Sequence, residues 1–179
     1  NVTGVQTCAL PILHVMLLEL IVDPVTAIVF EAEPGARDAM RQPPRKTGEH
    51  LFGLRQMANG LLHGAIIALA VMGVYILALR DGLGADEARA AGLAALVIAN
   101  LTLAFAESAE VGSRFFDKSR VVYWAIVAVT ALILAAILFV TALASVFHVA
   151  PPPLRWLVGA GALAFIAGGW SGALRKALG

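Results

Sequence analysis

The chain has 179 residues, of which 60% are hydrophobic and only 14% are charged, and its formal net charge is +1. Soluble domains carry about 25% charged residues, so this composition excludes a soluble enzyme or a soluble binding module. The small net charge provides no basic surface for nucleic acid, and we expect no nucleic-acid partner. The composition therefore indicates an integral membrane protein.

The apolar residues form five runs, each long enough or nearly long enough to cross a bilayer. A spanning helix needs about 17 to 25 apolar residues. The runs occupy residues 13–30, 55–79, 91–106, 121–147 and 154–173. Since the alternation typical of strands is absent, the sequence predicts an all-α fold, a polytopic transmembrane helix bundle of about five spans in contact with the lipid bilayer.

The short loops predict how the chain is oriented, because Lys and Arg accumulate on the cytoplasmic side of a membrane. Residues 31–50 contain four basic residues and residues 107–120 contain three, whereas residues 80–90 contain two and residues 148–155 contain one. We therefore expect a multi-pass protein of the plasma membrane, with a cytoplasmic loop at 31–50 and a cytoplasmic C-terminus.

The first residues of the chain resemble a translated sequencing adapter. The string is Val2-Thr-Gly-Val-Gln-Thr-Cys8-Ala-Leu-Pro-Ile12. We expect residues 1–12 to be such an artefact and the remainder to be a fragment whose upstream part is missing; a genuine external loop is the alternative. No chemistry is therefore assigned to Cys8, the only cysteine of the chain.

Two carboxylates, Glu19 and Asp23, interrupt the first apolar run. An ionised carboxylate at bilayer depth costs roughly 2.5 to 3.5 kcal/mol, and such residues mark ion or proton paths. Residues four apart on a helix differ by about 40° around the axis and about 6 Å along it, so both side chains enter one cavity. The pair therefore predicts a cation site. A salt-bridged or protonated structural pair in a kinked helix is the alternative.

Pro24 supports the prediction of a cation site. It has no N–H for the carbonyl of Leu20, and its ring disfavours helical geometry at Asp23. Backbone carbonyls freed in this way are tolerated at membrane depth only beside protein or water, where they can bind cations. The sequence thus predicts a site built from hard oxygen ligands.

The next two apolar runs contain small or polar residues that allow more than one interpretation. Gly60 and Gly64 have the small-xxx-small spacing that permits close packing of membrane helices. His63 between them is interpreted as a packing residue, with a proton relay or ligand as the alternative. Asn100 is either an interhelical hydrogen-bonding residue or a direct cation ligand, and Glu107 is expected at the membrane interface.

The last two runs contain no ionisable residue in their apolar parts and are interpreted as lipid-facing scaffold. Aromatic side chains stand near their ends, as is typical of membrane interfaces. These residues are Tyr123, Trp124, Trp156 and Trp170. We find no internal repeat of the kind that indicates an inverted-repeat transporter.

Residues 19–45 resemble the sixth transmembrane helix and the following cytoplasmic loop of bacterial cation-transporting P-type ATPases. The matching strings are Glu19-Leu-Ile-Val-Asp23-Pro24, Phe30-Glu-Ala-Glu-Pro34 and Asp38-Ala-Met-Arg-Gln-Pro-Pro-Arg45. Asp23 falls on a cation-binding Asp of that family, and Glu19 falls where calcium pumps have Asn and sodium-potassium pumps have Asp. Val22 stands where the family often has Thr. Asn100 falls near an eighth-helix position that carries a calcium-binding Glu in some relatives.

The resemblance implies that residues 13–179 are the C-terminal membrane domain of an ATP-driven cation pump, from its sixth to its tenth helix. Glu19, Asp23 and Asn100 would then bind the transported cation, with Ca²⁺ or Mn²⁺ favoured over Na⁺, K⁺ or H⁺. The phosphorylation and nucleotide-binding domains, with ATP and Mg²⁺, would lie upstream. The fragment would therefore hold no cofactor and would not be catalytic alone.

The partners implied by the resemblance are the upstream helices and the cytoplasmic phosphorylation domain of the same protein, which the loop at 31–50 would contact. Two functions of other classes stay open. A secondary cation or proton-coupled transporter could use Glu19 and Asp23 as titrating carboxylates. In a membrane scaffold without transport, the pair would be incidental.

Overall fold

The computed structural model of the chain describes residues 16, 19, 27, 53–108 and 121–178. The two long segments of this set form five helices and contain no strand. In chain order the helices are α1 (Leu54–Arg80), α2 (Ala85–Ser108), α3 (Val121–Phe139), α4 (Thr141–Phe147) and α5 (Leu154–Leu178). The predicted all-α class is confirmed.

Long apolar stretches within these helices make the described part of the chain a helical membrane bundle. Three stretches are long and apolar enough to cross a membrane, namely Met57–Arg80, Ala85–Glu107 and Val121–Phe139. Helix α5 adds the shorter apolar stretch Leu154–Trp170. Of the predicted span at 13–30, the structure describes Met16, Glu19 and Ala27, and all three are helical.

The apolar run at 121–147 is divided between two helices instead of forming one. Val140 joins them with φ −85° and ψ 111°, which is an extended conformation. Its N–H still donates to the carbonyl of Ala136 at 2.9 Å, and its own carbonyl accepts from the N–H of Ala144 at 2.9 Å. Val140 and Thr141 are both β-branched, and successive β-branched residues weaken the preference for helix.

Helix α2 is the most buried of the candidate spans. In its most apolar window 56% of the residues are buried, against 17% in α1 and 17% in α3. Small side chains account for this difference, because they let neighbouring backbones approach closely. The buried alanines of α2 are Ala88, Ala90, Ala91, Ala94, Ala95, Ala99, Ala104 and Ala106.

Helices α2 and α5 run parallel and pack along their small residues. Trp156 packs beside Ala88 at the start of both helices, and a Cβ added at Gly168 would contact the backbone oxygen of Ala99 and lie 3.0 Å from the Cβ of Thr102. Any side chain at Gly168 would therefore push the two helices apart. Glycine at this position sets the close approach of α2 and α5.

The loop between α1 and α2 and the loop before α5 lie at the same end of the bundle. Gly82 ends α1 with φ 86°, and the N–H of Leu83 donates to the carbonyl of Ala78 at 3.1 Å, as in a Schellman motif. The guanidinium of Arg89 donates to the carbonyl of His148 at 2.7 Å. Both loops therefore belong to one end of the described helices.

Candidate functional site

The predicted carboxylate pair is only partly described by the structure. Glu19 is helical and exposed, so the described residues do not enclose its carboxylate. Asp23 and Pro24 lie outside the described residues. The cation site formed by Glu19 and Asp23 stays a prediction.

Asn100 lies in the middle of α2 and is half buried. Its Nδ2 donates to the carbonyl of Leu96 at 2.9 Å, one turn earlier in the same helix. This hydrogen bond lies within α2, whereas the sequence predicted either a bond from Asn100 to another helix or a direct role as a cation ligand. The amide makes no other hydrogen bond with the described residues, so its Oδ1 is available to a ligand.

The face of α2 that carries Asn100 is distinct from the faces that pack on α5 and α3. Ala99 packs towards α5, and the carbonyl of Leu101 accepts a hydrogen bond from Tyr123 of α3. Successive residues on a helix differ by about 100°, so Asn100 lies about 100° around the axis from Ala99 and about 100° from Leu101, between the two contact positions. Glu107, seven residues later, lies about 20° from Asn100 around the axis and is exposed.

The described residues hold no preformed metal centre. Among residues 53–108 and 121–170, the structure groups no set of three or more His, Cys, Asp or Glu side chains that could bind an ion together. Asn100 is therefore the one member of the predicted ligand set whose side-chain contacts are described in full. Its single amide oxygen can contribute to a site only together with ligands from other segments.

His63 pairs with Trp170, an interaction that the sequence did not predict. The two rings are stacked, with their centroids 4.9 Å apart and an angle of 24° between their planes. Nδ1 of His63 lies 2.7 Å from the carbonyl oxygen of Asn59, so Nδ1–H is the donor. Nε2 of His63 and Nε1 of Trp170 are buried without a hydrogen-bond partner. The packing interpretation of His63 fits this arrangement, and no spacing in the sequence signals a partner so far along the chain.

Gly60 and Gly64 make no close helix contact within the described structure. A Cβ added to either glycine would meet no atom within 4 Å. The predicted close packing at these two residues is therefore not made between the described helices. The close approach occurs instead at Gly168, which sequence analysis did not single out.

Tyr123 joins α3 to α2, although sequence analysis interpreted it as an interfacial aromatic residue. It is 9% exposed, and its hydroxyl donates to the carbonyl of Leu101 at 3.0 Å. Its ring lies 5.2 Å from that of Phe105 and 5.4 Å from that of Trp124, measured between centroids. Burial with a satisfied hydroxyl indicates a packing role for Tyr123.

The comparison with protein families covers almost the whole chain. The family model described as "Cation transporting ATPase, C-terminus" matches residues 7–178. A search of curated proteins gave no match. The family match includes both the carboxylate pair of the first apolar run and the helices that the structure describes.

Proposed function

The chain belongs to the C-terminal family of cation-transporting ATPases, and from this premise we propose that Glu19, Asp23 and Asn100 bind the cation that an ATP-driven pump transports. The observation that carries the proposal is the placement of Asn100. Its amide oxygen makes no hydrogen bond with the described residues, and its side chain is only half buried in the middle of a membrane-spanning helix.

The chemistry of the three side chains favours a hard divalent cation. Ca²⁺ takes about six to eight oxygen ligands at about 2.3 to 2.6 Å, and Mn²⁺ also prefers carboxylate, carbonyl and water oxygens. Two carboxylates and one amide offer roughly five oxygens. Backbone carbonyls beside Pro24, water and upstream residues would supply the rest. Na⁺, K⁺ and H⁺ are the other cations that such a site could transport.

The pump would couple this membrane site to ATP through its upstream domains. ATP and Mg²⁺ would bind there, and the loop at 31–50 would contact the phosphorylation domain. The basic residues of that loop support a cytoplasmic position for it and for the C-terminus, in the plasma membrane. Cation occupancy would then permit transfer of the phosphoryl group to the upstream domain.

Phosphoenzyme formation as a function of cation concentration tests the proposal. In the full-length protein, Asp23→Asn should raise the half-saturating cation concentration at least about 100-fold, since a charged ligand is lost. A normal cation response in this variant would refute the ligand role of Asp23. Absence of any phosphoenzyme from the unmodified protein, with cation flux retained, would instead favour the secondary transporter.

The two asparagines of the described helices provide a matched test of Asn100. Asn100→Ala should raise the half-saturating cation concentration roughly 10- to 100-fold. Asn59 lies near the start of α1 with an exposed side chain, and Asn59→Ala should leave the cation response unchanged. Equal responses of the two variants would exclude Asn100 from the site.

A further inference from the structure

A groove separates the outer surfaces of α1 and α5 near the end of the bundle where the short loops meet. Its volume is about 420 Å³, within the range of about 300 to 1,000 Å³ that is typical of ligand sites. Val74 and Leu77 form the wall on α1, and Gly159 and Leu163 form the wall on α5. Because Gly159 has no side chain and nothing lies within 4 Å of the position of its Cβ, the groove is open at this point.

The apolar groove ends at a pair of opposite charges. Asp81 and Arg155 both line it, and the closest distance between the guanidinium nitrogen and the carboxylate oxygen is 3.8 Å. The side chains are 58% and 73% exposed. At this distance and exposure neither charge saturates the hydrogen-bonding capacity of the other, so both can bind a further group.

The order of the two charges argues against a purely structural ion pair. Asp81 follows the C-terminal end of α1, and Arg155 lies in the first turn of α5. Helix dipoles favour basic side chains at a C-terminus and acidic side chains at an N-terminus, which is the reverse of this arrangement. The negative charge of Asp81 adds to the partial negative charge at the C-terminus of α1, and the positive charge of Arg155 adds to the partial positive charge at the N-terminus of α5. The charged end of the groove therefore offers one site for an anionic group, at Arg155, and one for a cationic group, at Asp81.

The depth of the groove matches the boundary between lipid headgroups and acyl chains. The charged rim, formed by Asp81 and Arg155, lies where α1 ends and α5 begins, and the walls run along the apolar stretches of both helices. Trp156, an amphipathic side chain of the kind found at membrane interfaces, also lines the groove. A ligand that fits would carry adjacent positive and negative charges attached to an apolar tail.

We propose that this groove binds one membrane phospholipid whose headgroup contains both a phosphate and a primary ammonium group. Arg155 binds the phosphate, and Asp81 accepts hydrogen bonds from the ammonium group. An acyl chain lies along Leu77, Gly159 and Leu163. This proposal is independent of the cation site, because it involves neither Asn100 nor the run at 13–30.

Native mass spectrometry of the full-length protein with defined lipids tests the proposal. The probes are phosphatidylethanolamine and phosphatidylcholine with identical acyl chains, which differ only in methylation of the ammonium group. The unmodified protein should bind phosphatidylethanolamine about fivefold more tightly, a factor typical of one exposed charged contact. Asp81→Leu removes both the charge and the hydrogen-bond acceptors, so it should abolish this preference, whereas Arg155→Gln should weaken binding of both lipids about fivefold.

Two further variants separate groove binding from general lipid association. Arg80→Gln removes an exposed positive charge at the same end of α1 but outside the groove, and it should leave lipid binding unchanged. Gly159→Leu introduces a side chain at a position where a Cβ would meet no atom within 4 Å, and by occupying the groove it should reduce binding of both lipids. Equal binding of the two lipids by the unmodified protein would overturn the proposal, as would equal effects of Arg80→Gln and Arg155→Gln or full lipid binding by Gly159→Leu.

Discussion

Helices α2 and α3 are both apolar enough to cross a membrane, yet they are buried to very different extents. Most of the apolar window of α2 is buried, whereas only two of the ten Val, Leu and Ile side chains of α3 are buried and five are exposed. The difference follows from side-chain size, because lipid tails are as apolar as leucine and hydrophobicity alone does not drive helices together in a membrane. Alanine and glycine determine which helix lies at the centre of this bundle.

The largest effect should come from Gly168, where α5 touches the backbone of α2. Gly168→Ala should lower the free energy of unfolding in detergent by roughly 1 to 3 kcal/mol, because overpacking against backbone atoms forces the helices to shift. Gly64→Ala is the matched control, since its Cβ would meet no neighbouring atom. Equal stabilities of the two variants would show that the α2 and α5 backbones are not in close contact.

Arg89 should have the next largest effect, because it links the sparsely packed α3 and α4 region to α2. Its guanidinium lies 3.0 Å from the carboxylate of Asp86 and donates to the carbonyl of His148. Arg89→Met should destabilise the protein by about 1 kcal/mol, since both interactions are half exposed. The backbone amide hydrogen of Val149 should then exchange faster with solvent, because Val149 directly follows His148, whose carbonyl Arg89 holds. Unchanged exchange there would contradict a linking role.

Tyr123 makes a smaller contribution to the stability of the packing between α2 and α3. Tyr123→Phe removes the hydrogen bond to the carbonyl of Leu101 and should destabilise the protein by about 1 kcal/mol or less. Tyr75→Phe is the control, because the Tyr75 hydroxyl makes no hydrogen bond with the described residues. If thermal unfolding shifts equally in both variants, the hydroxyl of Tyr123 does not hold α3 against α2.

The smallest effect is expected on the lipid-facing surface of α3. Leu132 is 73% exposed, so Leu132→Ala should change the free energy of unfolding by less than about 0.5 kcal/mol in lipid or detergent. A loss comparable to that of Gly168→Ala would mean that another helix covers this surface. Denaturation in detergent of both variants under the same conditions makes the comparison.

Sequence analysis predicted the helical class and the approximate positions of the spans, because apolar run length is set by bilayer thickness. The apolar run at 91–106 lies within a longer helix, α2. Helix α2 begins at Ala85, because the carboxylate of Glu87 accepts a hydrogen bond from the N–H of Gly84 at 3.0 Å and so caps the N-terminus of the helix. This first part of α2 is polar and therefore lies outside the apolar run. The break at Val140 left no comparable signal, because valine and threonine also occur within spans.

Contacts between distant segments could not be predicted from sequence spacing. The stacking of His63 on Trp170 and the close approach at Gly168 depend on how α1, α2 and α5 pack together, which the residues of one helix do not specify. The candidate cation ligands were chosen from the cost of burying carboxylates and from the family resemblance. Of these, Asn100 has an amide oxygen that makes no hydrogen bond with the described residues, and the cation-binding role of Glu19, Asp23 and Asn100 stays a prediction.

Equilibrium cation binding to the full-length protein is the most direct test of the central claim. Ca²⁺, Mn²⁺, Na⁺ and K⁺ should be titrated against the unmodified protein and against a Glu19→Gln and Asp23→Asn double variant. We predict saturable binding of at least one of these cations to the unmodified protein and its loss in the folded double variant. Binding of the same cation with unchanged affinity and stoichiometry in the double variant would contradict the account.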